Sequence, residues 1–142
     1  MLLVLTIFLE NYTYIGGYAG RFLDDGTLNT AVGHGAMEGT TGGSSCQENV
    51  AVGHHTLTAI TTGDYNVAVG AESLKAITTE SNNTAVGYKA GEDSTASDGT
   101  FIGYKAGSKV TGAGNLAIGL DALTSQTTGT YSLAIGRGVL QH

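Results

Sequence analysis

From Thr13 to Ile135 the hydrophobic positions come in short alternating runs, each closed by a glycine and followed by a stretch rich in Thr, Ser, Gly and Asn. The clearest run is Asn66-Val-Ala-Val-Gly70. The same figure stands at Asn29 to Gly33, Asn49 to Gly53, Asn83 to Gly87 and Asn115 to Gly119, and Ser132 replaces the Asn in the copy ending at Gly136. Tyr12 to Gly16 and Gly99 to Gly103 are degenerate copies. The closing glycines are thus 16 or 17 residues apart, with one interval of 20. A period this short marks a repeat architecture, in which one unit cannot bury its own apolar face and must stack on its neighbours.

Alternation with a period of two predicts a strand in each run, and the return segments, such as Thr61-Thr62-Gly63-Asp64, carry turn signals. No stretch has the three-and-four spacing of a helix. A second short strand is expected after each glycine, giving two per coil. The residue before the glycine is always β-branched (Val32, Val52, Val69, Val86, Ile102, Ile118, Ile135), and is expected to fill the coil together with Leu57, Leu74 and Leu123. On this assignment Val69→Asp should unravel the stack. Alanine, one residue earlier, would face outward and leave room for a neighbouring chain. Asn29, Asn49, Asn66, Asn83 and Asn115 would form a structural turn ladder, because Asn tolerates left-handed backbone and bonds nearby main chain. Gly33, Gly53, Gly70, Gly87, Gly103, Gly119 and Gly136 would make the corners. The fold class expected is therefore all-β: a parallel β-solenoid or β-roll of about eight 16–17-residue coils. At ~4.8 Å per coil these make a rod ~40 Å long, thin enough to invite lateral association.

Residues 1–11 precede the repeat and read as an apolar strand, and residues 12–142 form the repeat domain. If the tail of one subunit met the head of the next, the glycine interval across the junction would be close to one coil. Leu2, Val4, Ile7 and Leu9 would then complete a coil begun by Val139 and Leu140, and subunits would stack end to end. Tyr12, Tyr14 and Tyr18 give the first copy the look of a modified terminal repeat.

Composition narrows the function more than it identifies it. Twenty-three glycines and no proline suit a backbone engaged almost everywhere in hydrogen bonds. Twelve acidic against six basic residues, a net charge of −6, argue against a nucleic-acid partner. The longest apolar run, Met1 to Leu9, is about half what a bilayer requires, so no membrane insertion is expected. Cys46 has no cysteine to pair with in the chain; it lies in the insertion Gly42 to Glu48, a loop where a partner could bind or simply a tolerated insertion. His34 and His54 occupy the same place in successive repeats with His55 adjacent; stacking could bring the rings together, but without a matched carboxylate or cysteine they read as solvated surface, and no metal or cofactor is assigned. A charge column, Glu72, Lys89, Lys105 and Asp121, would pair Glu72 with Lys89 and Lys105 with Asp121. No Ser, His and Asp combine into a nucleophilic arrangement and no glycine loop opens a helix, so neither catalysis nor nucleotide binding is expected.

The unit N-(T/V)-A-(V/I)-G, followed by a polar residue, Ala and Leu, then TTG and Asn, resembles the repeats of bacteriophage tail-fibre proteins and the head repeats of trimeric autotransporter adhesins. The likeness spans about residues 12 to 140. It implies a left-handed parallel β-roll associated three chains wide, on a virion or outside the cell. The function expected is a non-enzymatic structural fibre subunit, homo-oligomeric by end-to-end stacking or trimerisation. The alternative is an adhesin or receptor-binding module in which side loops or the Tyr88 and Tyr104 column recognise a cell-surface glycan.

Overall fold

The computed structural model describes residues 11–125 and 128–140. Among them there is no helix. The chain is a parallel β-solenoid of eight three-residue strands: β1 (Thr13–Ile15), β2 (Thr30–Val32), β3 (Val50–Val52), β4 (Val67–Val69), β5 (Thr84–Val86), β6 (Thr100–Ile102), β7 (Leu116–Ile118) and β8 (Leu133–Ile135). They form one sheet in sequence order. Pairing is in register, so Ala51 lies beside Ala68 and Val52 beside Val69. Each return to the sheet takes one coil of about 17 residues, as the repeat predicts.

The second side of the coil is not a strand. Left-handed backbone recurs two and four residues after the closing glycine, at Glu72 (φ 59) and Leu74 (φ 46) in one coil and at Asp121 (φ 54) and Leu123 (φ 56) in another. Such alternation breaks a pleat into successive turns. Hydrogen bonding between coils nevertheless continues there, through Leu57 N to Ser73 O at 3.1 Å and Leu74 N to Ala90 O at 3.0 Å. It continues on the third side too, through Tyr65 N to Gln47 O at 3.1 Å and Asn82 N to Asp64 O at 3.0 Å. The main chain is thus paired on three sides of the coil, which is where a proline-free sequence is needed.

Inside and outside are the reverse of what the alternation suggested. Ala31, Ala51, Ala68, Ala85, Ala117 and Ala134 are completely buried, while Val52, Val69, Val86, Ile102 and Ile135 are 36–59% exposed and Val32 and Ile118 are half-buried. A three-residue strand points its middle residue inward and both flanks outward, and here the middle residue is alanine. The space beside alanine is real, but the coil's own opposite wall occupies it. Leu57, Leu74 and Leu123 come across from that wall and are buried as expected; Met37 is buried in the same place, with Ile60, Ile77 and Val110 beyond them. A lumen one Ala and one Leu wide has no room for a second branched side chain. Val69→Asp should therefore leave the unfolding midpoint of the single chain within about 1 kcal/mol of the parent, whereas Ala68→Leu should cost about 1–3 kcal/mol by overpacking; urea denaturation of the two distinguishes them.

Two coils carry an aromatic residue in place of the alanine, each with compensation. Phe101 replaces alanine and is completely buried. Glycine then stands at the leucine position in its own coil (Gly107) and in the preceding one (Gly91). A Cβ on Gly91 would lie 2.9 Å from the Phe101 ring, and one on Gly107 would overlap it. Tyr14 pairs in the same way with Gly20, where a Cβ would lie 2.5 Å from the ring. Burial pushes the Tyr14 hydroxyl up to about 12.

Candidate functional site

The asparagines form a buried ladder, and its geometry is more specific than a row of turn residues. Asn29, Asn49, Asn66 and Asn83 are at most 1% exposed. Asn66 donates from its backbone N (2.8 Å) and from Nδ2 (3.0 Å) to Asn49 Oδ1, and from Nδ2 also to Glu80 O (3.0 Å). Its own Oδ1 accepts from Asn83 N (2.9 Å) and Nδ2 (3.1 Å). Every polar atom of the side chain is thus paired in the buried interior. Left-handed backbone lies one residue before each asparagine, at Leu28, Glu48, Tyr65 and Asn82, so bonding capacity rather than tolerance of that conformation selects Asn here. Gly99 interrupts the ladder: its N still donates to Asn83 Oδ1 at 2.8 Å, and the Phe101 ring fills the side-chain space. The ladder resumes at Asn115, whose Nδ2 reaches Gly112 O (2.6 Å) and Gly129 O (2.7 Å) and whose Oδ1 takes the N–H of Ser132 (2.7 Å).

The corner glycines face one another. Each from Gly16 to Gly119 has φ between 127° and 144°, and a Cβ there would press into the carbonyl of the next glycine in the column. Asparagine and glycine columns alike are structural, and neither presents a group to a ligand.

The outer surface carries three features. The first is the sheet's outward face, where the Val and Ile column runs beside the first residue of each strand, which is apolar at Val50, Val67, Leu116 and Leu133. Over eight coils the Val and Ile column is unbroken for roughly 40 Å on an all-parallel sheet, while the column beside it is mixed, with Thr13, Thr30, Thr84 and Thr100 in the other strands. The second is a chain of ion pairs: Lys75 to Glu72 at 2.9 Å, Glu72 to Lys89 at 3.6 Å and Lys89 to Glu92 at 2.7 Å. The Lys75 contact holds the Glu72 carboxyl below its ordinary range, and Glu92 holds Lys89 above its own. Beside it Tyr88 and Tyr104 stack at 5.5 Å, and Lys105 lies 5.5 Å from the Tyr104 ring centre.

The third is a histidine cluster at one corner of the second and third coils. His34 and His54 stack with ring centres 5.6 Å apart, and His55 stands edge-on to both, at 5.4 Å and 4.1 Å. Desolvation, followed by the neighbouring His54 and His34, lowers the His55 pKa and favours its neutral form. His34 and His54 are exposed, as a surface reading requires, but the three rings converge.

No family model, no curated protein and no solved structure matches the chain. Its own geometry therefore carries the functional reading. Cys46 is a buried free thiol whose burial pushes it up to about 11, so the insertion tucks it into the core. Among the described residues no helix is long and apolar enough to cross a membrane. Leu2, Val4, Ile7 and Leu9 lie outside the described residues; Val139 packs against the core and Leu140 is exposed. Sequence reasoning missed that the outward face belongs to Val and Ile. The signal was present in the substitution of glycine for leucine in the coils that carry or precede an aromatic residue at the alanine position.

Proposed function

We propose that this protein is a non-enzymatic structural subunit, a β-solenoid that associates with copies of itself into a fibre or appendage outside the cell or on a virion. The apolar outward face of the sheet carries this reading. Parallel sheets are characteristically covered on both faces, and an unbroken column of half-exposed Val and Ile side chains along one side of a rod is a surface for another protein. A second copy supplies a strip of the same pitch, so contacts repeat at every coil. Three chains around a common axis would enclose the strips, as in the adhesin heads that the repeat resembles. The alanines, buried within each coil, have no part in that contact. End-to-end stacking would extend the rod.

The test is the mass of the particle in solution. The parent should sediment as a multiple of the 14.4 kDa chain, and Val52→Asp/Val69→Asp/Val86→Asp should reduce it to a folded single chain with an unchanged circular dichroism spectrum. A parent that is monomeric at 100 µM would overturn lateral association. Glycan recognition is the second reading, supported by the exposed Tyr88 and Tyr104 pair. Binding to a glycan array that is lost in Tyr88→Ala/Tyr104→Ala would favour it.

A further inference from the structure

The histidine corner has features that a chance surface cluster does not need. Three imidazoles from two adjacent coils each offer one nitrogen, and these nitrogens all lie within 4.8 Å of one another. A tetrahedral ion with metal to nitrogen bonds of 2.0–2.1 Å requires its ligand atoms about 3.4 Å apart. Side-chain rotation of the exposed His34 and His54 covers the difference. His55 is held over the preceding coil by left-handed backbone at its own position (φ 51). Beneath it Gly35 (φ 64) leaves the space, for a Cβ there would lie 2.6 Å from His55 Nδ1. The column thus carries glycine below and histidine above, so that the third ring leans toward the other two. Tyr18 closes the lower side, with its ring edge-on to His34 at 5.3 Å.

We propose that His34, His54 and His55 form a binding site for a late first-row divalent transition-metal ion, of which Zn²⁺ is the representative, with water completing the coordination. Three imidazole nitrogens, with no carboxylate or thiolate in the cluster, select zinc, copper, nickel or cobalt over magnesium and calcium. Because His34 belongs to one coil and His54 and His55 to the next, the ion clamps the second coil to the third. Metal that binds the folded chain alone then raises its stability by mass action. The site does not depend on lateral association.

Calorimetric titration with ZnCl₂ should be carried out on the full chain carrying His142→Gln, which leaves these three histidines alone. One ion per chain is expected, with a dissociation constant below about 10 µM, and no heat with MgCl₂. His55→Gln should weaken binding by more than about tenfold, His34→Gln likewise, and both should keep the circular dichroism of the parent. Co²⁺ should give the visible absorption bands of a four-coordinate nitrogen site in the parent and not in either variant. The melting temperature should rise with Zn²⁺, fall back on adding EDTA, and stop responding in His55→Gln. No saturable binding, binding unchanged by His55→Gln, or equal binding of Mg²⁺ would each overturn the proposal.

Discussion

Gly70→Ala is expected to lower the stability of the chain by at least about 3 kcal/mol, a large share of the ~5–15 kcal/mol that holds a domain together. Two costs combine. The backbone at Gly70 has φ 127°, a conformation that side-chain-bearing residues adopt only at about 1–3 kcal/mol. The added Cβ would also overlap the carbonyl oxygen of Gly87, so coils four and five must move apart or the corner must rebuild. Gly42→Ala separates the two. Gly42 has φ 113° but nothing within 4 Å of the position its Cβ would take, so it pays only for conformation. Urea denaturation of both variants should give the larger loss at Gly70, with amides on either side of the corner exchanging fastest. Equal losses would mean that close approach between the glycines is not what selects them.

Asn66→Leu should cost about 3–5 kcal/mol although it conserves volume. The substitution strips the partner from Asn83 N, from Asn83 Nδ2 and from Glu80 O, and each polar group left unpaired in the interior costs about 1–3 kcal/mol. Asn49 Oδ1 loses one of two side-chain and backbone donors, retaining Asn66 N. The readout is the denaturation midpoint at constant slope. A variant as stable as the parent would show that coils stack by backbone bonds and apolar contacts alone.

Much of the solenoid was legible because its constraints are periodic. The interval between glycines set the coil length, the absence of proline agreed with pairing on three sides, and the Asn positions marked a ladder. Which face turned inward was not legible from alternation, since Ala and Val are both compatible with either face of a pleat. Hydrophobicity favoured Val69 for the interior, but the width of the coil decided for Ala68. Volume bookkeeping across the coil would have settled it. An aromatic residue at the alanine position coincides with glycine at the leucine position, at Tyr14 with Gly20 and at Phe101 with Gly107, and only residues that touch need such complementarity. The histidine corner was visible only in part: spacing placed His34 beneath His54, while the lean of His55 depends on a left-handed residue that no spacing reveals.

Phe101 has a consequence for folding fidelity. A perfectly uniform stack could close one coil out of step, because each unit would fit the next but one almost as well as its neighbour. Here the interior is keyed. A ring sits between Gly91, Gly99 and Gly107, and a shift by one coil toward the N-terminus would drive it against Leu74, while a shift the other way would meet Leu123. The aromatic plug and its three glycines thus act as an index mark on an otherwise repetitive rod, and they fix the number of coils on either side of it.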